Sequence, residues 1–316
     1  MSSNTNDSKK LRISVGEGSL GKVKNKSVKW GEIKEKLLSP VLDNQHTMKQ
    51  YLALPKERQD ELKNVGFMVG GWCNNGHRLA ANIEERHLMI LDVDTATKDQ
   101  LVQLDLGWHG LSGYEYFVYS TRKHTNDKPR LRVLVPLSKP VSADKYVPLA
   151  RILAEKFDPT MESVDPVSFR IAQLMYWPSV CKGAPYFTDA GAGELMDPDR
   201  VLEEFGDWRD FTKLPRSPRD DQRESDPNKK AENPTEKKGL VGAFCRAYDV
   251  PAAIEAFLSD VYQPGDADSE KPRYTYVGGS TTNGAIVEDD GLFLYSFHGT
   301  DPVSTRLVNA FDLVRI

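Results

Sequence analysis

The sequence predicts an α+β fold in two unequal parts, and three observations carry that prediction. The runs "HLMILDVD", "YEYFVYS" and "LRVLVPL" are dense in aliphatic and aromatic residues and have the length of buried strands. Segments with helical spacing of apolar residues lie between and around them. Residues 216–238, "RSPRDDQRESDPNKKAENPTEKK", hold three prolines, seven basic and six acidic side chains and no large apolar one. Such a stretch cannot bury a core and reads as a linker. The predicted organisation is therefore a domain at 1–215, a charged linker at 216–238 and a small α+β module at 239–316.

In the first domain, "TMKQYLALPKERQDELKN" reads as a helix broken near Pro55, because proline lacks the amide that a helix interior needs. "KYVPLARILAEKF" reads as a helix with Val147, Ile152 and Leu153 on a broad apolar face. In the module, Asp249 is placed to cap a helix with Pro251 in its first turn and "AAIEAFLSDVY" following. "RYTYV", "AIVE" and "LFLYSF" read as strands, with Asp290-Gly291 as the hairpin turn between the last two. Asp301-Pro302 is expected to start a final helix, "STRLVNAFDLVRI". That helix ends on apolar residues, which reads as a boundary inside a longer protein.

Composition narrows the class. At 39% hydrophobic and 28% charged residues the chain suits a soluble protein with a sizeable core. No apolar run approaches the ~18 residues of a membrane span. The N-terminus lacks the apolar stretch of a signal peptide, so a cytoplasmic location is expected. Cys73, Cys181 and Cys245 are far apart and form no C-x-x-C pair, which indicates neither a disulfide framework nor a zinc knuckle. A net charge of −4 does not announce a nucleic-acid binder. Its distribution says more: Arg122, Lys123, Lys128, Arg130, Arg132 and Lys139 crowd residues 121–139 against a single acid, Asp127. A local basic patch on a mildly acidic protein points to a phosphate site.

"LMILDVDTAT" carries the chemistry. Side chains at i and i+2 of a strand share a face, so Asp92 and Asp94 can bring their carboxylates within roughly 6 Å. At an effective dielectric of about 20 the two charges repel by about 3 kcal/mol. A shared proton would offset this, as would a divalent cation, Mg²⁺ or Mn²⁺, for which carboxylate oxygens are suited ligands. Asp94 could instead cap the next helix, but Thr97 and Gln100 already offer a capping box there. The next strand ends at Ser120 and runs into "TRKHT", where Ser120, Arg122, Lys123 and His124 match the hydrogen-bonding and charge needs of a triphosphate. A solvated basic loop is the plainer reading of that stretch. Arg130 and Arg132 again stand at i and i+2, on one face of the third strand, where they must meet an anion or the acidic pair. Asp165, before an apolar segment, could supply a third metal ligand or merely initiate a turn at Asp-Pro. Asp158, in "KFDPT", is assigned to ending the preceding helix. "GEGSLGKV" at 16–23 matches G-x-x-x-x-G-K, but Val23 stands where a P-loop needs Ser or Thr, and the following residues are a poor helix start.

With these residues in this order the sequence resembles the archaeo-eukaryotic primase superfamily, and most of all the primase-polymerase domain at the N-terminus of phage and prophage primase-helicases. "ILDVD" matches the family's hydrophobic-D-x-D motif, "STRKH" its serine-and-histidine loop, and Asp165 its single third aspartate. "FMVGG", "RLRVLVPL", "LMYWPSV", "GAFCRAY" and "TDPVSTRLVNAFDLVRI" are also familiar from the phage subgroup. The resemblance implies a core with a mixed or antiparallel sheet like that of an RNA-recognition motif. It implies Asp92, Asp94 and Asp165 as catalytic ligands of Mg²⁺ or Mn²⁺, and Ser120, His124, Arg130 and Arg132 on the nucleoside triphosphate, with Arg122 and Lys123 near it or the template. The implied activity is synthesis or extension of primers on single-stranded DNA from ribo- or deoxyribonucleotides. The implied partner is a helicase domain of the virulence-associated E type. Two departures stand out: Ser120 and His124 are separated by three residues instead of one, and no zinc-binding element is visible, His298 in "YSFHGTDP" standing without cysteines. Two other classes stay open on residues alone: a non-catalytic module that binds DNA or recruits a helicase, and a D-x-D nucleotide-sugar glycosyltransferase. A rolling-circle nickase is disfavoured, since none of the six histidines forms an H-x-H pair.

Overall fold

The computed structural model describes residues 5–18, 21–97, 99, 109–220 and 232–316. The chain is α+β; its three larger sheets are antiparallel, and Val41–Asp43 pairs with Ser179–Cys181 in parallel. Its elements run β1 (Lys10–Gly16), β2 (Lys24–Lys29), α1 (Trp30–Leu38), β3 (Val41–Asp43), α2 (Met48–Ala53), α3 (Lys56–Lys63), β4 (Phe67–Val69), β5 (Gly71–Cys73), β6 (Ile83–Val93), β7 (Tyr116–Ser120), β8 (Leu131–Val141), α4 (Ala143–Phe157), β9 (Met175–Tyr176), β10 (Ser179–Cys181), β11 (Thr188–Gly191) and α5 (Pro198–Phe205). The C-terminal part adds α6 (Gly239–Ala247), α7 (Val250–Phe257), β12 (Tyr262–Pro264), β13 (Arg273–Tyr276), β14 (Ala285–Glu288), β15 (Phe293–Ser296), β16 (Leu307–Asn309) and α8 (Ala310–Arg315).

The central sheet has the order β11-β7-β8-β6-β5, every neighbouring pair antiparallel. It is covered on both faces, which is why its strands read as nearly continuous apolar runs. Met89, Leu91, Val93, Val133 and Val135 join one core with α4, which is buried almost all round. Leu88, Ile90, Phe117 and Leu134 join a second core with Leu11, Ile13, Trp30 and Met68. A second sheet, β2-β1-β4-β9, supplies that covering layer. β5 lies so close to β6 that a Cβ at Gly71 would come 2.1 Å from the Glu85 carbonyl oxygen, which accounts for a glycine there. The helix break at Pro55 separates α2 from α3, and Thr47 and Gln50 form a capping box at the start of α2. "GEGSLGKV" joins two antiparallel strands, with Val15 opposite Lys24, so no helix follows to present amides to a phosphate. Gln100, the second half of the capping box expected at Thr97–Gln100, lies outside the described residues.

The C-terminal part is a meander, β12-β13-β14-β15-β16, packed against α6, α7 and α8. Asp249 caps α7 by accepting from the Ala252 amide, and the turn at Asp289–Gly291 joins β14 to β15. The final helix is shorter than expected. Asp301 is held in a turn, its carboxylate accepting from the Tyr262 hydroxyl and the Val303 amide. Leu307–Asn309 pair with β15 as the meander's last strand, and only then does Asn309 cap α8 through the Asp312 amide. Strand pairing of Val308 with Leu294 therefore wins over the helical spacing of the same residues.

This meander docks on the first domain. Buried Asp144, in the first turn of α4, accepts from the amides and hydroxyls of Ser280 and Thr300. Phe211 packs against Phe297 and the ring of His298. The region expected as linker begins with residues held to the first domain: Asp220 pairs with Arg151 at 2.8 Å, and the Ser217 hydroxyl donates to the Met161 carbonyl.

Candidate active site

β6 runs antiparallel to β8 with Asp92 directly opposite Arg132 and Val93 opposite Leu131. Asp92 and Asp94 continue the face that carries Leu88 and Ile90, and the arginines continue the matching face of β8. Cross-strand pairing thus puts a cation beside each acid. Arg132 reaches Asp92 Oδ2 at 2.7 Å, and Arg130 reaches Asp94 Oδ1 at 3.1 Å. Arg132 also donates to the Tyr119 hydroxyl and the Tyr176 carbonyl; burial opposes its charge, but Asp92 and then Tyr119 outweigh it and raise its pKa. Arg130 is more open, with 35% of its side chain exposed.

Residues 163–168 run alongside the end of β6. The Asp94 amide donates to the Ser163 carbonyl, and Val93 bridges Val164. The Asp165 amide donates to the Asp92 carbonyl at 2.7 Å, and the Asp92 amide to Ser168 Oγ at 2.8 Å. Asp165 is in turn the cap of a 3₁₀ turn, Pro166–Phe169, its side chain accepting from the Val167 amide, and Arg219 stands 4.0 Å away. The two readings of Asp165, turn initiator and acid beside the pair, are both present in one residue. Asp158 does not join them. It ends α4 and accepts from the amides and hydroxyls of Thr160 and Ser163. Burial opposes its ionisation, but these hydrogen bonds outweigh it and hold the carboxyl below the ordinary range.

Asp94 titrates the other way. Burial, followed by the charge of Asp92, pushes its pKa up, and Arg130 only partly opposes this. Asp92 Oδ1 is buried without a hydrogen-bond partner among the described residues. An orphaned carboxylate oxygen beside a second carboxylate has the hard-oxygen chemistry of a divalent-cation site. Among the described residues, no group of three or more His, Cys, Asp or Glu side chains is gathered as a finished ligand shell.

The basic residues divide into two groups. Lys123 lies within the electrostatic reach of Arg130 and Asp94, and burial lowers its pKa. His124 Nδ1 accepts from the Arg130 amide, which fixes the proton on Nε2, and burial keeps the ring neutral. The others are turned inward. The Ser120 hydroxyl accepts from the Phe187 amide. Arg122 is bound to Asp43 and the Leu62 carbonyl, with its guanidinium 4.4 Å from the centre of the Tyr51 ring. The polar atoms of Ser120, Arg122 and Arg132 already hold strand, helix and acid in place.

Lys63, the last residue of α3, was missed by the sequence reading. It lies 5.1 Å from the Tyr176 ring centre and feels both Asp92 and Asp94; burial, then Arg132, pushes its pKa down. No local pattern marks it, because α3 meets β6 only through the fold. In the C-terminal part, His298 Nε2 accepts from the amides of Tyr276 and Gly284 and its Nδ1 meets the Thr281 hydroxyl, so both nitrogens serve the fold.

A model of the family described as the VapE N-terminal domain matches residues 2–217. No curated protein matches the chain. Among solved structures, the AEP domain of a primase-polymerase from cyanophage S-2L aligns at 16% identity over 61% of this chain and 88% of that one, with a TM-score of 0.34. The catalytic domain of primase RepB′ in complex with initiator DNA aligns at 13% identity over 62% and 84%, with a TM-score of 0.30. Primase RepB′ itself aligns at 12% identity over 80% and 72%, also with a TM-score of 0.30. No helix among the described residues is long and apolar enough to cross a membrane.

Proposed function

This chain belongs to the VapE N-terminal domain family, and from that premise we propose that it is a divalent-metal-dependent nucleotidyltransferase that makes or extends primers on single-stranded DNA. The observation that carries the reading is the orphaned Asp92 Oδ1 beside Asp94, with Asp165 tied to the same strand end. Asp92 and Asp94 would hold Mg²⁺ or Mn²⁺, with Asp165 completing the set. The bound ion would neutralise phosphate charge and make the attacking hydroxyl easier to ionise. Arg132 fixes the orientation of Asp92 through its second oxygen. Arg130 at Asp94, Lys123 within its electrostatic reach and His124, whose Nδ1 accepts from the Arg130 amide, would supply cationic and donor groups for a triphosphate. Lys63 adds a positive charge from the α3 side. The division into a catalytic domain at 1–215 and a C-terminal module at 239–316 leading to a helicase belongs to the same reading.

The test is incubation with unprimed and primed single-stranded DNA, labelled nucleotides of both sugar types, and Mg²⁺ or Mn²⁺. Incorporation by the wild-type chain, abolished in a folded Asp92→Asn/Asp94→Asn double variant, is expected. Equal incorporation by that double variant would reject the assignment. DNA binding without incorporation under every metal and nucleotide would favour a non-catalytic replication module.

A further inference from the structure

Away from the carboxylates, a cleft of about 240 Å³ opens between the first domain and the C-terminal meander. Its charged lining is wholly cationic: Arg78 from the segment before β6, Arg170 from the end of the 3₁₀ turn, and Arg306 from the turn before β16. Among the described residues none of the three forms an ion pair. Two polar atoms in the walls are buried with no hydrogen-bond partner there, Arg78 Nε and Ser304 Oγ, and Ser304 is only 2% exposed. Arg78 is itself anchored, since its Nη1 donates to the Ala172 carbonyl at 2.9 Å.

An arrangement of this kind is costly when empty. Three guanidinium groups repel one another, and each orphaned polar atom forgoes the hydrogen bond that it had in water. A carboxylate from the protein would have been the simplest remedy, and among the described residues none lines the cleft. One ligand removes both costs: an anion with several acceptor oxygens, able to take forks from arginines and a hydrogen bond from a serine hydroxyl. We propose that this cleft is a second phosphate-binding site, taking the phosphates of a nucleotide or of a nucleic-acid backbone and bridging the two parts of the chain. Its position suits such a ligand. Arg170 closes the short turn that Asp165 opens, so at ~2 Å of rise per residue the cleft lies on the order of 10 Å from the third acid. One nucleic-acid chain can touch both places. The site stands on its own lining and does not depend on catalysis at Asp92 and Asp94.

The experiment uses the full chain in metal-chelating buffer, so that no ion bridges phosphate to the carboxylates. Inorganic tripolyphosphate and ATP are titrated by calorimetry, and an unphosphorylated oligo-dT by fluorescence anisotropy. Arg170→Gln/Arg306→Gln removes two exposed charges, and its melting temperature is expected to match the wild type. Tripolyphosphate affinity should fall at least tenfold in this variant and by a smaller factor in Ser304→Ala. Arg315→Gln, an exposed charge at the end of α8 that does not line the cleft, should stay within about twofold of wild type. A loss that extends to ATP but not to oligo-dT identifies a free nucleotide as the ligand. A loss on oligo-dT, with the slope of log affinity against log salt reduced by about 1.4 for two lost phosphate contacts, identifies a strand backbone. Unchanged binding of all three probes by the arginine variant overturns the proposal. So does an equal loss in Arg315→Gln, or a wild-type chain that binds none of the probes.

Discussion

Asp92 and Asp94 are equivalent along the strand, yet the fold gives them opposite energetic roles. Asp92 is the partner of a buried arginine; Asp94 is a carboxylate whose ionisation burial and Asp92 both oppose. Asp92→Asn should therefore destabilise the protein, because it leaves Arg132 charged and unpaired, a loss of about 3–5 kcal/mol for broken buried pairs. Asp94→Asn should leave the melting temperature unchanged or raise it at pH 7. The sign follows from linkage: a carboxyl raised in the folded state costs stability while ionised, and the cost fades as pH falls through its folded pKa. Thermal melts of both variants between pH 7 and pH 4 check this. A stable Asp92→Asn protein beside an unstable Asp94→Asn protein would refute the division of roles.

At the scale of elements, short turns hold the acids in place. Asp165 opens a 3₁₀ turn beside β6, whereas Asp158 closes α4 with four hydrogen bonds. Asp165→Ala should lose two or more orders of magnitude in nucleotide incorporation, partly recovered at high Mn²⁺. Asp158→Ala should cost about 2–3 kcal/mol of stability with much less effect on turnover. Incorporation rates across a Mn²⁺ titration, read beside denaturant midpoints, separate the two; the reverse pattern would remove Asp165 from the site. Asp43 does comparable work at the end of β3. Burial disfavours its charge, but the Gln45 amide, the Arg122 guanidinium and His46 prevail, and its pKa falls from 3.8 to about 2. A depressed carboxyl stabilises above its unfolded pKa, and that stability disappears as pH drops from about 4 towards 2. The gap in melting temperature between wild type and Asp43→Asn should thus be widest at pH 5 and close on acidification. A gap that stays constant would show that Asp43 acts by shape and not by charge.

For the whole molecule, the decisive feature is the docking of the meander on α4 and Phe211. A charged stretch such as 216–238 reads as a tether between independent bodies, but Asp144 binds Ser280 and Thr300 across the junction, and Arg151 lies between Phe169 and Phe297. Removing residues 239–316 should accordingly lower the melting temperature of the remainder and increase binding of a hydrophobic dye. Asp144→Ala should reproduce part of the effect, about 2–3 kcal/mol, by leaving four donors without their acceptor. A truncated chain that melts like the full protein would mean that the junction contributes nothing to stability.

The sequence by itself determined whatever depends on backbone period and local caps. Strand alternation puts Asp92 and Asp94 on one face, and Arg130 and Arg132 on another, whatever the surroundings. Pro55 breaks its helix, Asp249 caps one, and Asp289–Gly291 turns a hairpin, because each is settled by residues within a few positions. The end of the chain shows the limit: Leu307–Asn309 carries helical spacing and still becomes a strand, since β15 offers it a partner. Only the tertiary structure decided which cation meets which acid, because the register of β6 on β8 is fixed by two apolar cores formed from distant segments. It brought Lys63 to the carboxylates, set Ser120 against the Phe187 amide and bound Arg122 to Asp43. It also gathered Arg78, Arg170 and Arg306 from three separate stretches into one cleft. Charges act through space over several ångströms, so a site made of them is visible only once the chain has folded.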